Sequence, residues 1–415
     1  MVKRRNLLGA ALLASTGASA STSASTRAHA KQRVDLIAQH PLDIARPAET
    51  LGLAWSEVAR ALPGALLQQL IVRNAAGQSL PYQVSNLDPL ARDPQGLGLN
   101  YGELLFQHDF AAGERSARFT VEKSAAVSPP FETKVFARYV PERLDDFAWE
   151  NDKIAHRSYG SALAAAAPPG SNKEVLVTSG IDVWFKRVAY PIIDRWYNKG
   201  HEHYHRDEGE GLDMYSVGRT CGAGGTGIWD GHALHSSHNY TRWKVIANGP
   251  IRAIFELGYD AWDAGGTPVS ETKRFTVDAG RYFHQIDSRL AFSGGPQRLR
   301  MAVGLNKSPA YKERGPRIAT QQLPTQGGLT QWVSQSGGDF GTALLLPHAD
   351  EVSYAEDAAN SLITTPLAAG QVLRYYVGAL WSRAAEVKTE AAWRELVAVE
   401  AQRRRSPVLE TVVRD

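Results

Sequence analysis

The densest group of side chains able to move protons lies between Gly200 and Gly218, where His201-Glu202-His203-Tyr204-His205 leads into Asp207, Glu210, Asp213 and Tyr215. Six of the chain's twelve histidines fall between His201 and His238. His205, the three carboxylates and the Tyr215 phenol sit close in sequence, bracketed by Gly209 and Gly211, which open backbone angles closed to other residues. Carboxylates brought together raise one another's pKa, so such a cluster can supply an acid and a base near neutral pH. Read as extended chain, His201, His203 and His205 share one face. A row of imidazoles suits transition metals, which leaves a divalent metal open as a cofactor. The spacing matches no standard zinc signature, and a solvated acidic, histidine-rich turn is the plainer reading. Gly222-Ala223-Gly224-Gly225 lacks the Lys-Ser/Thr ending of a phosphate-binding loop and reads as an ordinary turn.

Four further segments interleave aromatic rings with polar groups. In Trp149 to Gly160, strand alternation would put Trp149, Asn151, Arg157 and Tyr159 on one face. That face could stack a pyranose and pair an acidic sugar's carboxylate with Arg157. Trp184-Phe185-Lys186-Arg187 and Asp194-Arg195-Trp196-Tyr197 are two more such sets, and His238-Asn239-Tyr240-Thr241-Arg242-Trp243 is the fourth. Each alone suits a core as well as a site; together they point to a carbohydrate groove.

The elements that must position these groups read as strands. Residues 31–125 form a first unit, with apolar or alternating runs at Gln69-Leu70-Ile71-Val72, Leu104-Leu105-Phe106 and Arg118-Phe119-Thr120-Val121. Turn signals separate them, predicting a small antiparallel sandwich. Ala125 to Pro130 reads as a linker. A larger unit over 131–385 carries strand candidates at Val175 to Thr178, Arg252 to Tyr259, Glu271 to Val277 and Val372 to Leu380. The pattern in Glu271 to Val277 suits a sheet with one wet face. Residues 386–415 hold a helix over Lys388 to Arg405 and a tail, with Trp393, Leu396, Val397 and Val399 as its apolar residues. Its basic end, Arg403-Arg404-Arg405, complements the helix dipole. The fold class is therefore all-β: a small sandwich, a large β-sandwich body and a C-terminal helix.

Composition bounds the setting. With 46 Lys and Arg against 43 Asp and Glu, the net charge of +3 is too small for this length to imply nucleic acid. A lone Cys221 rules out an intramolecular disulfide. Only 3 Met stand against 10 Trp and 15 Tyr, side chains that stack on sugars as readily as they pack. At the N-terminus Lys3-Arg4-Arg5 precedes an apolar stretch, Leu7 to Leu13, and small residues ending at Ala18-Ser19-Ala20 or Ala28-His29-Ala30. That pattern reads as a signal peptide over 1–30, of twin-arginine type, with cleavage before Lys31 and a periplasmic or secreted destination. Its apolar part is far below the roughly 20 residues of a membrane span. Nothing in the sequence sets an oligomeric state.

Trp149-Glu150-Asn151-Asp152, with Arg157 and Tyr159-Gly160, resembles the opening motif of an uncharacterised bacterial family, DUF family 4861. Gly209-Glu210-Gly211-Leu212-Asp213, with Tyr215 and Val217-Gly218, is similar to that family's central motif, and His205 and Asp207 fit the approach to it. The resemblance runs from about residue 35 to 390; His156 departs from it, standing where an apolar residue is expected. It implies a large domain like the β-supersandwich of galactose mutarotases and several polysaccharide lyases, and a link to pectin and other uronic-acid polysaccharides. The expected partner is then an acidic oligo- or polysaccharide, and the expected reaction β-elimination. Arg157 and Asn151 would neutralise the carboxylate, His205 and Tyr215 would act as base and acid, and Asp207 or Asp213 would orient His205. A glycoside hydrolase using two of Asp207, Glu210 and Asp213, a mutarotase, and a non-catalytic glycan-binding protein remain the alternatives. If the leader is read correctly, the exported form begins at Lys31, and the paired changes Arg4→Lys and Arg5→Lys leave the precursor in the cytoplasm. Fractionation with N-terminal sequencing checks both.

Overall fold

Strands far outnumber helices along the chain, and the computed structural model, which describes residues 33–88, 102–384 and 386–413, is an all-β protein. The proposed leader lies outside the described residues. Five sheets are present among those described, and every ladder between their strands is antiparallel. Residues from Arg33 onward form one compact unit.

Arg33–Gln39 alternates inward and outward and pairs on one side with Ser116–Lys123 and on the other with Leu409–Val413. The end of the chain thus completes the first sheet. This sheet packs on a three-stranded one (Arg46–Ala54, Gly102–Phe110, Tyr82–Asn86) through Val34, Leu36, Leu51, Phe106 and Phe119.

The largest sheet has eight strands, from Arg242–Ala247 at one edge to Arg317–Leu323 at the other. Its inner face shares one apolar cluster with two five-stranded sheets. One of these contains Arg298–Asn306, and the other runs Phe136–Val140, Asp146–Glu150, Ala155–Ser158, Ile181–Lys186 and Gly211–Leu212. The latter is the site sheet. Val175 to Thr178, expected as a strand, carries no strand and joins Leu176 to Leu163 through a single backbone hydrogen bond. The expected linker, Ala125 to Pro130, is irregular chain. Glu390–Arg405 is helical, started by the Thr389 side chain, which accepts from the Ala392 N–H. It seats Trp393, Val397 and Ala401 on the outer face of the eight-stranded sheet, beside Phe283 and Trp332. Its basic end is tied in as well: Arg403 bonds Glu49, and Arg404 bonds Glu400.

The inner face of Pro268–Asp278 departs from simple patterning. Glu271, Lys273, Phe275 and Val277 all point inward, so the polar residues of this strand do not all face water. The Glu271 carboxylate accepts from Thr226 and Ser288, and the Lys273 ammonium lies 3.7 Å from it, fully buried. His156 and His284 meet edge to face at 4.7 Å in the same interior. Burial pushes His156 down to about 3, and burial with the neighbouring His156 pushes His284 well below the ordinary histidine value. Both are neutral in the folded protein but protonate when unfolded, so each removes stability as pH falls below about 6.5. The loss approaches 1.4 kcal/mol per pH unit per histidine and for His156 ends near pH 3. Urea unfolding across this range is expected to give a steep acid limb, made shallower by His284→Gln.

Candidate functional site

Asn151 decides the local geometry of the site sheet. Its Oδ1 accepts the N–H groups of Lys153 and Ile154, at 2.9 and 3.0 Å, and closes a tight turn. Its Nδ2 donates to the carbonyls of Asp278 and Arg281, both at 2.7 Å. Residues 149–159 are therefore a hairpin and not the single strand expected from alternation. Trp149 stands opposite His156, and Ala148 opposite Arg157, so Trp149 and Arg157 lie on opposite faces. Trp149 is fully buried among Phe255, Phe275 and His156 and offers no platform for a sugar.

The other face carries a buried polar layer centred on Arg157. Its Nε donates to Asp182 at 2.7 Å, Nη2 to Asp213 at 3.1 Å, and Nη1 to Asp146 at 3.5 Å and to the Tyr204 hydroxyl at 3.3 Å. Tyr159 and Tyr197 donate to Asp182 and Asp146, and the Trp184 indole donates to Asp213. Three carboxylates surround one guanidinium. Burial lifts Asp146 to about 6, and burial with the charge of Asp182 lifts Asp213 well above the carboxylate range. Coupled groups of this kind share their protons. Arg157 is thus consumed inside the protein and does not reach a substrate carboxylate, contrary to expectation.

The same layer holds the short helix Ile193–Lys199 against the sheet. Glu150 accepts the N–H groups of Ile192 and Ile193, at 2.8 and 2.9 Å, and pairs with Lys186 at 2.6 Å. Lys186, expected to bind substrate, is buried in that pair. Trp196 and Tyr197 are buried under the helix. Tyr240 is buried with its hydroxyl on the Asp145 carbonyl. Glu210 is bound by Tyr190, Arg195, Trp196 and Lys199. Although burial pushes its carboxyl up, hydrogen bonds from Arg195, Tyr190 and Trp196 outweigh this and hold it below its ordinary value. Gly211 has φ +130° and lies against the Phe185 carbonyl, where a Cβ would collide. The two signature motifs are therefore largely architectural.

Above this layer the chain turns repeatedly from Gly200 to Arg206, so the expected row of three histidines does not form. His201 and His205 touch, with rings 4.9 Å apart, while His203 lies beside Glu208. Among the described residues no group of three or more His, Cys, Asp or Glu is arranged to hold a metal ion. Asp207 accepts from Arg187 and the Gly209 N–H and does not touch His205. Asp213 is in contact instead: its carbonyl accepts from His205 Nδ1 at 2.9 Å, with its carboxylate 3.8 Å away. Tyr215, expected as the partner acid, points instead into the core against Phe340, its hydroxyl buried without a partner. Arg187 lies over the Trp381 ring, and His238 is exposed.

The groups that do surround His205 come from other loops. Tyr311 stacks on the imidazole at 4.5 Å and 17°, and Lys312 lies 4.7 Å above the Tyr311 ring. Tyr204, next in the chain, also packs on it, at 4.9 Å from His205 and 5.3 Å from His201. Arg143, near Tyr204 and Asp146, bonds Glu174 at 2.7 Å and keeps a buried Nη1 with no hydrogen-bond partner. Leu144, Asp145 and Lys312 all have positive φ, so the turn after Arg143 and the Tyr311-Lys312 loop are held in strained conformations. Gly160 is needed for one of them, because the Asp145 carbonyl rests where a Cβ would be. Burial, helped by His201 and Arg157, pushes His205 below the ordinary histidine value. It is neutral at pH 7, its proton is on Nδ1, and its Nε2 is buried without a hydrogen-bond partner. Sequence reasoning missed Arg143, Tyr311 and Lys312. The only local cue was a cation beside an aromatic in a loop.

The match that assigns the chain to a family runs over nearly its whole length. It belongs to the family described as Domain of unknown function (DUF4861), whose model matches residues 38–409. It is 31% identical over 318 residues to the uncharacterized protein P7 of Formosa agariphila, an alignment covering 74% of this chain and 76% of that one. Among solved structures it is similar to a glycosyl hydrolase family 38 protein from Enterococcus faecalis, at 9% identity and a TM-score of 0.46. It is also similar to an alpha-mannosidase from the same organism, at 8% identity and 0.44. These matches cover 92% of this chain, which spans about half the length of either structure (48% and 46%).

The buried pair sets a clear expectation. Glu150→Ala strands the Lys186 ammonium and frees the start of the helix, and should cost about 3–5 kcal/mol. Lys186→Met with Glu150→Leu should recover much of that, as read by urea unfolding.

Proposed function

We propose that this protein is a carbohydrate-active enzyme that cleaves uronic-acid-containing, pectin-type glycans by β-elimination, after export to the periplasm or beyond. The observation that carries this reading is His205: neutral, with Nδ1–H fixed on the Asp213 carbonyl and Nε2 buried without a hydrogen-bond partner under Tyr311, so that a substrate reaches it as the Tyr311-Lys312 loop moves aside. β-Elimination from a uronate asks for three things. A cation must neutralise the sugar carboxylate and so acidify the C5 proton; Lys312, beside Tyr311, fills that role. A base must take the proton, which falls to His205 Nε2. An acid must protonate the departing C4 oxygen, and Tyr311, half-buried against the imidazole, is assigned to it. Arg157 acts indirectly by holding Tyr204 and Asp213 in place.

The carboxylates required by a hydrolytic mechanism are poorly disposed by comparison. Glu210 is saturated by donors, and Asp213 lies beneath Arg157. The test is incubation with oligogalacturonates and related acidic oligosaccharides, followed by ultraviolet absorbance and mass spectrometry. Products that absorb as unsaturated uronates and show no added water are expected; products that gain water mean hydrolysis and overturn the reading. His205→Gln should lower kcat by about 10²–10⁴-fold with little change in stability. Because burial depresses the His205 pKa, kcat/KM should rise with pH through a value below 6.5 and level off before neutrality. A base limb centred above 7 would assign the proton abstraction to another group.

A further inference from the structure

The two rings assigned above to base and acid hang on consecutive carbonyls of one segment. His205 Nδ1 donates to the Asp213 carbonyl at 2.9 Å, and the Tyr311 N–H donates to the next one, that of Met214, at 3.0 Å. Tyr215 pairs with Ala310 in an antiparallel bridge, and the Ser216 N–H donates to the Pro309 carbonyl at 2.7 Å. Residues 213–216 and 309–311 thus form a short ladder. Its register decides whether the Tyr311 ring lies over the imidazole, as it does at 4.5 Å and 17°. A two-stranded pairing this short is not stable by itself, so the register needs an outside anchor.

Asn306 supplies one. It ends Arg298–Asn306, an interior strand of its five-stranded sheet, and its own backbone is fixed. Its N–H donates to the Gly222 carbonyl at 2.8 Å, and its carbonyl accepts from Gln331 Nε2 at 3.0 Å. The buried side chain turns to the ladder. Nδ2 donates to the Ser216 carbonyl at 2.6 Å and to the Ser308 carbonyl at 3.3 Å, while Oδ1 accepts the Ser308 N–H at 2.8 Å. Two carbonyls on one side and an N–H on the other fix which way the amide faces. One planar group therefore grips both segments, Ser216 in the first and Ser308 just before Pro309 in the second. A carboxylate of the same shape would set its oxygens against two carbonyls and leave both without a donor.

We infer that Asn306 is a positioning residue: by clamping Ser216 to Ser308 it sets the register that places Tyr311 against His205. The inference rests on the reading of those rings as acid and base, but its main readouts need no substrate. Diethyl pyrocarbonate acylates a neutral imidazole nitrogen, so its rate at His205, followed by peptide mass spectrometry, reports how well Tyr311 covers the ring. Asn306→Ala and Asn306→Asp should each speed that acylation about tenfold, with the thermal unfolding midpoint as a check on folding. By NMR titration the His205 pKa should climb back toward the ordinary histidine value. Burial is the first cause of its depression, and His201, Arg157, Asp182 and Asp213 remain around it. Where cleavage is measured, kcat should fall roughly tenfold with KM little changed, as when an acid is displaced from its base. Val397→Ala, which loosens the C-terminal helix on the outer face of the eight-stranded sheet, should leave His205 acylation and titration as they are. Unchanged acylation and titration in both folded Asn306 variants overturn the inference, and so does an equal change in Val397→Ala, which marks general loosening. If neither Asn306 variant folds, hydrogen exchange in the unaltered protein decides: the Ser216 amide should be strongly protected, and exchange at the rate of a free amide overturns the clamp. Faster acylation in the variants, with no unsaturated product from the unaltered protein, leaves the clamp standing and removes the elimination reading instead.

Discussion

A single guanidinium, Arg157, is the point on which the site depends. It is 5% exposed and reaches Asp146, Asp182, Asp213 and Tyr204, groups that come from two strands of the site sheet, the start of the chain beyond its last strand, and the turn-rich loop above it. Burying an arginine is tolerable only when its donors are satisfied, and burying three carboxylates only when a cation or protons offset them. Each requirement meets the other here. The cluster therefore tolerates little displacement of its members, and the loop from Gly200 to Asp213 inherits that order. His205, attached through the Asp213 carbonyl, is positioned at second hand by the same network.

This division of labour separates the conspicuous residues from those at the surface. Trp149, Glu150, Asn151, Gly160, Glu210 and Gly211 are motif residues, and the structure uses them to close a hairpin, anchor a helix and permit close backbone approaches. The groups beside this layer stand in less regular chain, Arg143 before and Lys312 within short loops where Leu144, Asp145 and Lys312 have positive φ. A rigid layer beneath and strained loops above is the usual distribution when loops carry binding groups on a fixed scaffold. The interior of the large sandwich adds a second polar cluster, Glu271 with Lys273 and the His156–His284 pair, which makes the fold sensitive to acid independently of the site.

Much of the architecture was legible in advance. The strands at 252–259, 271–277 and 372–380, the helix ending at Arg405, and the all-β class follow from local alternation and capping, which neighbouring residues fix among themselves. The histidine-carboxylate segment was also recognisable, and its link between His205 and Asp213 is real. Reading 149–159 as one strand failed because a side chain, Asn151, supplies the hydrogen bonds of a turn that the alternation does not reveal. Tyr215 was misassigned because a two-residue strand followed by irregular chain resets which way each side chain points.

What the sequence alone determined is therefore the all-β class with many of its strands, the chemical inventory and the family signature, because these depend on residue type and on spacing over a few positions. What only the tertiary structure decided is which charges are spent on one another. Arg157 and Lys186 look like substrate cations until the sheet brings Asp146, Asp182, Asp213 and Glu150 against them from as many as 56 residues away. Tyr311 looks unremarkable until folding stacks it on His205. Electrostatic pairing acts over a few ångströms of space, and separation along the chain carries almost no information about that distance.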